Sequence, residues 1–205
     1  MNKPGRIVRT ILGVGMVGFG LSGCVKDQVI GGPIAQIGFQ HLSKVRLNVA
    51  SINIKSNYKG PIDAPNVEQR FSTPPEQAMF NWAMTRLVAV GGPENTGIAN
   101  FVIQDGSVIE TRLQKTKGFK GMFAYEPTTR YDATAKATMS ITKDKSGATG
   151  TIRVTSKRSI EVSENATLAQ REQAWMELVE KLMADFNTQM DVQIKGYMSR
   201  WVAKP

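Results

Sequence analysis

The sequence is poor in the residue types that build sites of covalent or metal chemistry. It holds one cysteine and one histidine in 205 residues, which excludes an intramolecular disulfide and any cysteine-based metal cluster. A metal would have to be held by carboxylates. A Ser-His or Cys-His nucleophile would have to recruit His41, which lies in a polar, linker-like stretch and is expected in solvent. Acids are scarce too, with 17 Asp and Glu against 26 Lys and Arg, for a formal charge of +9. Such a balance favours anionic surfaces: lipid headgroups, lipopolysaccharide phosphates or nucleic acid. A transmembrane helix needs about 20 apolar residues in a row. The nearest approach, residues 11–20, is diluted by Gly13, Gly15, Gly18 and Gly20 and followed by Lys26.

What the N-terminus does contain is ordered like an export signal. Lys3, Arg6 and Arg9 precede the uncharged run 11–20, and Leu21-Ser22-Gly23-Cys24 follows it directly. This tetrapeptide resembles the lipobox of bacterial lipoproteins, in which small residues admit the signal peptidase and the thiol accepts diacylglycerol. The expectation is a signal peptide over 1–23, a Cys24 carrying diacylglycerol and palmitate, a flexible tether over 24–43, and one domain over 44–205. Removal of the three N-terminal cations lowers the formal charge from +9 to +6, and export argues against nucleic acid as a partner. The spacing Gly13-Val14-Gly15-Met16-Val17-Gly18 imitates a dinucleotide-binding turn but lacks the strand before it and the helix after it.

Beyond the tether, hydrophobic periodicity predicts strands and helices. Val45, Leu47 and Val49 alternate, and Ile52 and Ile54 resume on the opposite parity, so residues 44–55 read as one strand with a bulge near Ala50-Ser51. Residues 56–73 show no period, and Asp63 and Glu68 within them are expected as solvated loop acids. Thr73-Pro74-Pro75-Glu76 reads as a capping box. It would open a helix whose stripe is Ala78, Met79, Trp82, Ala83, Leu87 and Val90, ended by Gly91-Gly92-Pro93. Residues 99–113 look extended and carry Asp105-Gly106. Either a bulged strand or a hairpin fits, and two arms this short favour the strand. Tyr131 to Ile141 alternates cleanly, the turn Asp144–Gly147 follows, and Ile152, Val154, Ile160 and Val162 form the return strand. The final helix opens at Thr167 with Gln170 three residues on. Its stripe is Leu168, Trp175, Leu178, Val179, Leu182, Phe186, Met190 and Ile194. The order β-α-β-β-β-α predicts an α+β fold: a four-stranded sheet with two helices packed on one face and with Trp82 and Trp175 in the core. A strand-helix-strand crossover makes residues 44–55 and 99–113 parallel. The tether should then enter at one end of the sheet, and the loop after residue 113 should leave at the other.

No GxSxG, P-loop, HExxH or EF-hand loop follows Cys24, so the chain reads as no enzyme, without a cofactor or a metal site. The feature that stands out is Arg112, Lys115, Lys117, Phe119, Lys120 and Phe123, a basic stretch interleaved with aromatics in the second long connection. Cations that meet phosphates and rings that meet acyl chains suit an anionic lipid, lipopolysaccharide or a partner protein.

The lipobox, the tether and this order of elements are similar to small envelope lipoproteins of transport machines. The lipopolysaccharide-assembly lipoprotein that plugs an outer-membrane barrel and the auxiliary lipoproteins of lipid-transporting ABC systems are the two families concerned. Cys24 is the position matched by motif, while Val25-Lys26-Asp27 departs from the Gly-Phe and Leu-Arg-Gly signature of the first. The resemblance implies a non-enzymatic, membrane-anchored subunit or adaptor in envelope lipid or lipopolysaccharide transport, with an envelope protein as partner. The alternative is a structural or regulatory lipoprotein bound to a cell-wall enzyme. Val25 after the lipidated cysteine, where an Asp would hold the protein at the inner membrane, favours the outer membrane.

Overall fold

The computed structural model describes residues 37–92, 97–113, 128–142, 144 and 146–203. All of them belong to the compact unit Ile34–Pro205. Cys24 lies outside the described residues, as do Lys115, Lys117, Phe119, Lys120 and Phe123.

The longest regular feature is the antiparallel pair β6 (Thr128–Ile141) and β7 (Gly150–Ser163), in register over their whole length. Strict alternation makes this pairing. Thr129, Tyr131, Ala133, Ala135, Ala137, Met139 and Ile141 are buried on one face, and the residues between them face the other way. The small alanines leave room for helix α2 (Leu168–Tyr197) to lie against the hairpin. The expected capping box starts this helix: Thr167 Oγ1 accepts from Gln170 N at 3.3 Å, and Gln170 Oε1 accepts from Thr167 N at 2.8 Å. Two stripe positions differ from expectation. Leu168 lies in the first turn, before the helix reaches the sheet, and is 68% exposed, while Met183 is fully buried.

Residues 99–113 form one line of strand beside β6, not a hairpin. β4 (Ile98–Asp105) pairs antiparallel with the end of β6 and β5 (Val108–Leu113) with its beginning, with a register shift between Ile103 and Asp105. The interruption at Gly106 has a packing cause. A Cβ there would stand 2.7 Å from the backbone nitrogen of Glu76, so glycine is what lets the first turn of α1 (Pro75–Arg86) approach the sheet.

The expected single strand 44–55 is two strands in two sheets. β1 (Val45–Leu47) pairs in parallel with β3 (Leu87–Ala89), and β2 (Ser51–Ser56) pairs in parallel with β4. The change of parity is a corner at 48–50, where Val49 N–H donates to Leu47 O at 2.9 Å and both side chains are buried. The four-stranded sheet is thus corrected to a five-stranded one that occupies four positions, β2, β4/β5, β6 and β7, beside a separate two-stranded sheet. The parallel relation of the first strand region and residues 98–105 is as expected.

Helix α1 begins one residue later than expected. Pro74 stands at the N-cap, Pro75 occupies the first turn, and Thr73 makes no capping bond. It ends at Arg86, because Leu87 to Ala89 turn extended to pair with β1. Both helices cover the same face of the sheet. Trp82 of α1, Phe101 of β4 and Phe186 of α2 meet with ring centroids 5.4–6.4 Å apart. Phe71 stacks on Trp175 at 4.8 Å, and Tyr131 stands edge-on to Trp175 at 5.6 Å. A third tryptophan, Trp201, is buried against Gly150 and donates its Nε1–H to Asp144 Oδ2 at 2.9 Å.

The region read as tether packs in its described part: Ile37 and Phe39 are buried in the core cluster, and His41 is exposed as expected. Glu68 is no solvated loop acid. It is 7% exposed, accepts Tyr58 Oη–H at 2.5 Å and Val108 N–H at 3.2 Å, and holds the irregular connection to the sheet. Residues 65–67 hydrogen-bond along β5, with Val67 N–H donating to Val108 O and Glu110 N–H to Pro65 O. That edge of the sheet is thereby satisfied. Asp63 is exposed, as expected.

Candidate functional site

Of the six residues in the basic stretch, the structure describes Arg112. It is exposed in β5 opposite Thr129, near the start of β6. The β6–β7 hairpin is about 45 Å long at about 3.3 Å per residue, and the second cationic feature of the chain lies near its other end.

That feature grows from the stripe of α1. Ala78, Met79, Trp82, Ala83 and Arg86 recur at helical spacing, so the cation at the last position is drawn into the interior with the apolar residues before it. Arg86 is 4% exposed. Its Nη2 is ion-paired with Asp191 Oδ1 of α2, and its guanidinium lies 5.9 Å from the Trp82 ring. One turn back, Trp82 Nε1–H donates to Asn187 Oδ1 at 2.9 Å. The rungs Trp82–Asn187 and Arg86–Asp191 advance together, so α1 and α2 run in the same direction where they meet. Buried cations are tolerated where they are paired and hydrogen-bonded, yet Arg86 Nε has no hydrogen-bond partner.

Arg86 lines a cleft of about 510 Å³ with Lys44, Arg46, Lys195 and Asp191. Four cations face one carboxylate there, while Leu42, Val45, Ile194 and Val202 supply apolar wall. Lys44 is held in place by donating to Thr85 O. A second cleft of about 390 Å³ shares His41, Leu42 and Asn187 with the first and is walled mainly by Ile37, Phe39 and Met183, with Glu180 and Thr188 also lining it. Segment 37–46 thus runs from an apolar cleft to a cationic one. The sequence carried one signal of this site, an arginine at i+4 from Trp82 on an apolar stripe. Lys44 and Arg46 alternate with Val45 and Leu47, and Lys195 follows Ile194, as solvent-facing cations on any amphipathic element do, so they carry no such mark.

Among the described residues no group of three or more His, Cys, Asp or Glu could hold a metal ion. No described helix is long and apolar enough to cross a membrane. Several groups outside the cleft have displaced proton affinities, Tyr58 and Asp144 among them. Burial, reinforced by the hydrogen bond to Glu68, raises the Tyr58 hydroxyl. Hydrogen bonds from Ser146, with smaller contributions from Ala148 and Trp201, lower Asp144 to about 2.

No family model matches the chain, and no curated protein does. Similarities to solved structures are low, as three of them illustrate. A minor lipoprotein from Acinetobacter baumannii is 14% identical, with 76% of this chain and 96% of that one covered at a TM-score of 0.33. Rare lipoprotein B from Shewanella oneidensis is 10% identical, with coverage of 71% and 98% and a TM-score of 0.25. A neuraminyllactose-binding hemagglutinin homolog from Helicobacter pylori is 8% identical, with coverage of 72% and 86% and a TM-score of 0.32. Scores this low carry no conclusion about the present chain.

Proposed function

We propose that this chain is a non-enzymatic lipoprotein of the bacterial envelope, anchored through acyl chains on Cys24. In this reading it serves as a subunit or adaptor in the transport or assembly of envelope lipids, at the outer membrane. The observation that carries the reading is the joined pair of clefts, one cationic and one mainly apolar, beside the first described residues after Cys24. Even fully extended, the chain from Cys24 to Ile37 reaches at most about 45 Å, so an anchor on Cys24 would keep the segment that walls these clefts within that distance of the bilayer. Apolar wall next to cations is the surface chemistry that an anionic amphiphile demands. The basic stretch from Arg112 to Phe123 supplies a second contact, for a partner protein or a lipid in transit.

The test combines palmitate labelling with photocrosslinking in intact cells. Labelled palmitate should enter the wild type and not Cys24→Ser. Crosslinks from residues 115–120 should reach a lipid-transport protein, and replacing Lys115, Lys117 and Lys120 by Glu should weaken them. Crosslinks to a cell-wall synthase would favour the regulatory alternative. Absence of label from the wild type would overturn the anchor.

A further inference from the structure

Building on the lipid-handling role above, we propose that the paired clefts hold one anionic glycerophospholipid. Its phosphate sits on Arg86, Lys44, Arg46 and Lys195, and one acyl chain runs past Leu42 toward Ile37, Phe39 and Met183. Three observations converge on this occupant.

The first is the state of Arg86. A guanidinium has five N–H donors in a planar fork suited to phosphate oxygens. Here the fork is buried, meets Asp191 through a single nitrogen and leaves Nε without a partner. Its plane is steadied by Trp82, so little motion is left to lose when a ligand binds. The second is charge. Lys44, Arg46 and Lys195 join Arg86 on the walls of the first cleft against Asp191, and Glu180 is the one carboxylate lining the second, so four cations outnumber two acids across the pair and an anion is favoured over a neutral or zwitterionic headgroup. The third is continuity. The clefts share His41, Leu42 and Asn187, so a ligand with its phosphate in the first has an apolar path into the second. Volumes of about 510 and 390 Å³ fall in the range of about 300–1,000 Å³ usual for small-molecule sites. They fit one headgroup and part of one chain, not a lipid with many chains.

The experiment is native mass spectrometry of the full acylated chain in a nonionic detergent. Phosphatidylglycerol and phosphatidylcholine of equal chain length are added in equal amounts, and inorganic phosphate serves as a competitor. The expected result is one bound phosphatidylglycerol, favoured over phosphatidylcholine by about tenfold and not displaced by inorganic phosphate at equal concentration. Arg46→Glu with Lys195→Glu alters two exposed side chains outside the core. This variant should lower phosphatidylglycerol binding about tenfold or more with an unchanged thermal midpoint. Arg86→Met replaces the buried cation by an apolar side chain and should lose binding too. If that variant fails to fold, the exposed double variant decides. Equal retention of the two lipids, displacement by inorganic phosphate, or wild-type binding by the double variant would each overturn the proposal. Because this assay needs no partner and the cellular crosslinks need no cleft, the two results separate. Crosslinks that persist without cleft binding would remove the phospholipid site and leave the adaptor role standing.

Discussion

Replacing Trp175 by Ala tests whether α2 is held to the sheet by its aromatic cluster. Trp175 lies 7% exposed between Phe71, stacked at 4.8 Å, and Tyr131, edge-on at 5.6 Å. Truncation to the β-carbon empties a space that alanine-lined strands cannot fill by collapse. The cost for a buried tryptophan is about 3–5 kcal/mol. The middle of that range applies here, because Phe71 loses its stacking surface while the buried Trp175 Nε1–H, which has no hydrogen-bond partner, is removed with the ring. A loss of about 4 kcal/mol is a large share of the roughly 5–15 kcal/mol that separates folded from unfolded domains. In a unit of this size it should lower the thermal midpoint by about 8–16 °C. At a slope near 2 kcal/mol per molar it should also move the urea midpoint by about 2 M. Circular dichroism over a urea series measures the shift. The control is Leu168→Ala on the same helix, which periodicity alone would rank as core. Its exposure predicts a change within about 0.5 kcal/mol. A Trp175→Ala loss below about 1 kcal/mol, or a Leu168→Ala loss as large as that of Trp175, would refute the packing account.

Further expectations concern Tyr58, Asp144 and Gly106. Tyr58→Phe removes the 2.5 Å hydrogen bond to Glu68 and leaves a buried carboxylate with one donor fewer, so stability should fall by about 1–3 kcal/mol; an unchanged urea midpoint would show that water replaces the phenol. The carboxyl of Asp144 is lowered to about 2, so its contribution to stability is complete above the unfolded value near 3.9 and fades as pH falls through about 2. Asp144→Asn should flatten the acid transition read by circular dichroism between those limits, and identical acid profiles for the two proteins would show that the Asp144 carboxylate carries no part of that transition. Gly106→Ala should destabilise by forcing α1 away from the sheet, since the added carbon meets backbone at 2.7 Å; a neutral result would mean that the helix shifts without loss.

Some of this protein was legible in the sequence because its energetics are local. The capping box at Thr167 closes within four residues, the β6–β7 alternation repeats every second residue, and the stripe of α2 repeats every third or fourth. Each pattern has one economical conformation whatever surrounds it. Even there the pattern placed Leu168 inside, because periodicity says which face turns inward but not where along the helix the sheet begins. The tertiary structure decided everything that depends on a distant partner. Residues 44–55 divide between two sheets because Leu87 to Ala89 and Ile98 to Ile103 offer separate edges. Gly106 interrupts a strand because a helix start lies on it. Glu68 is buried because Tyr58 and Val108 supply donors. Arg86 is drawn into the core and paired with Asp191, 105 residues away, so the cationic cleft exists only when both helices lie side by side on the sheet. A charged side chain carries no local mark of burial, since its desolvation is offset by groups brought to it from elsewhere in the chain.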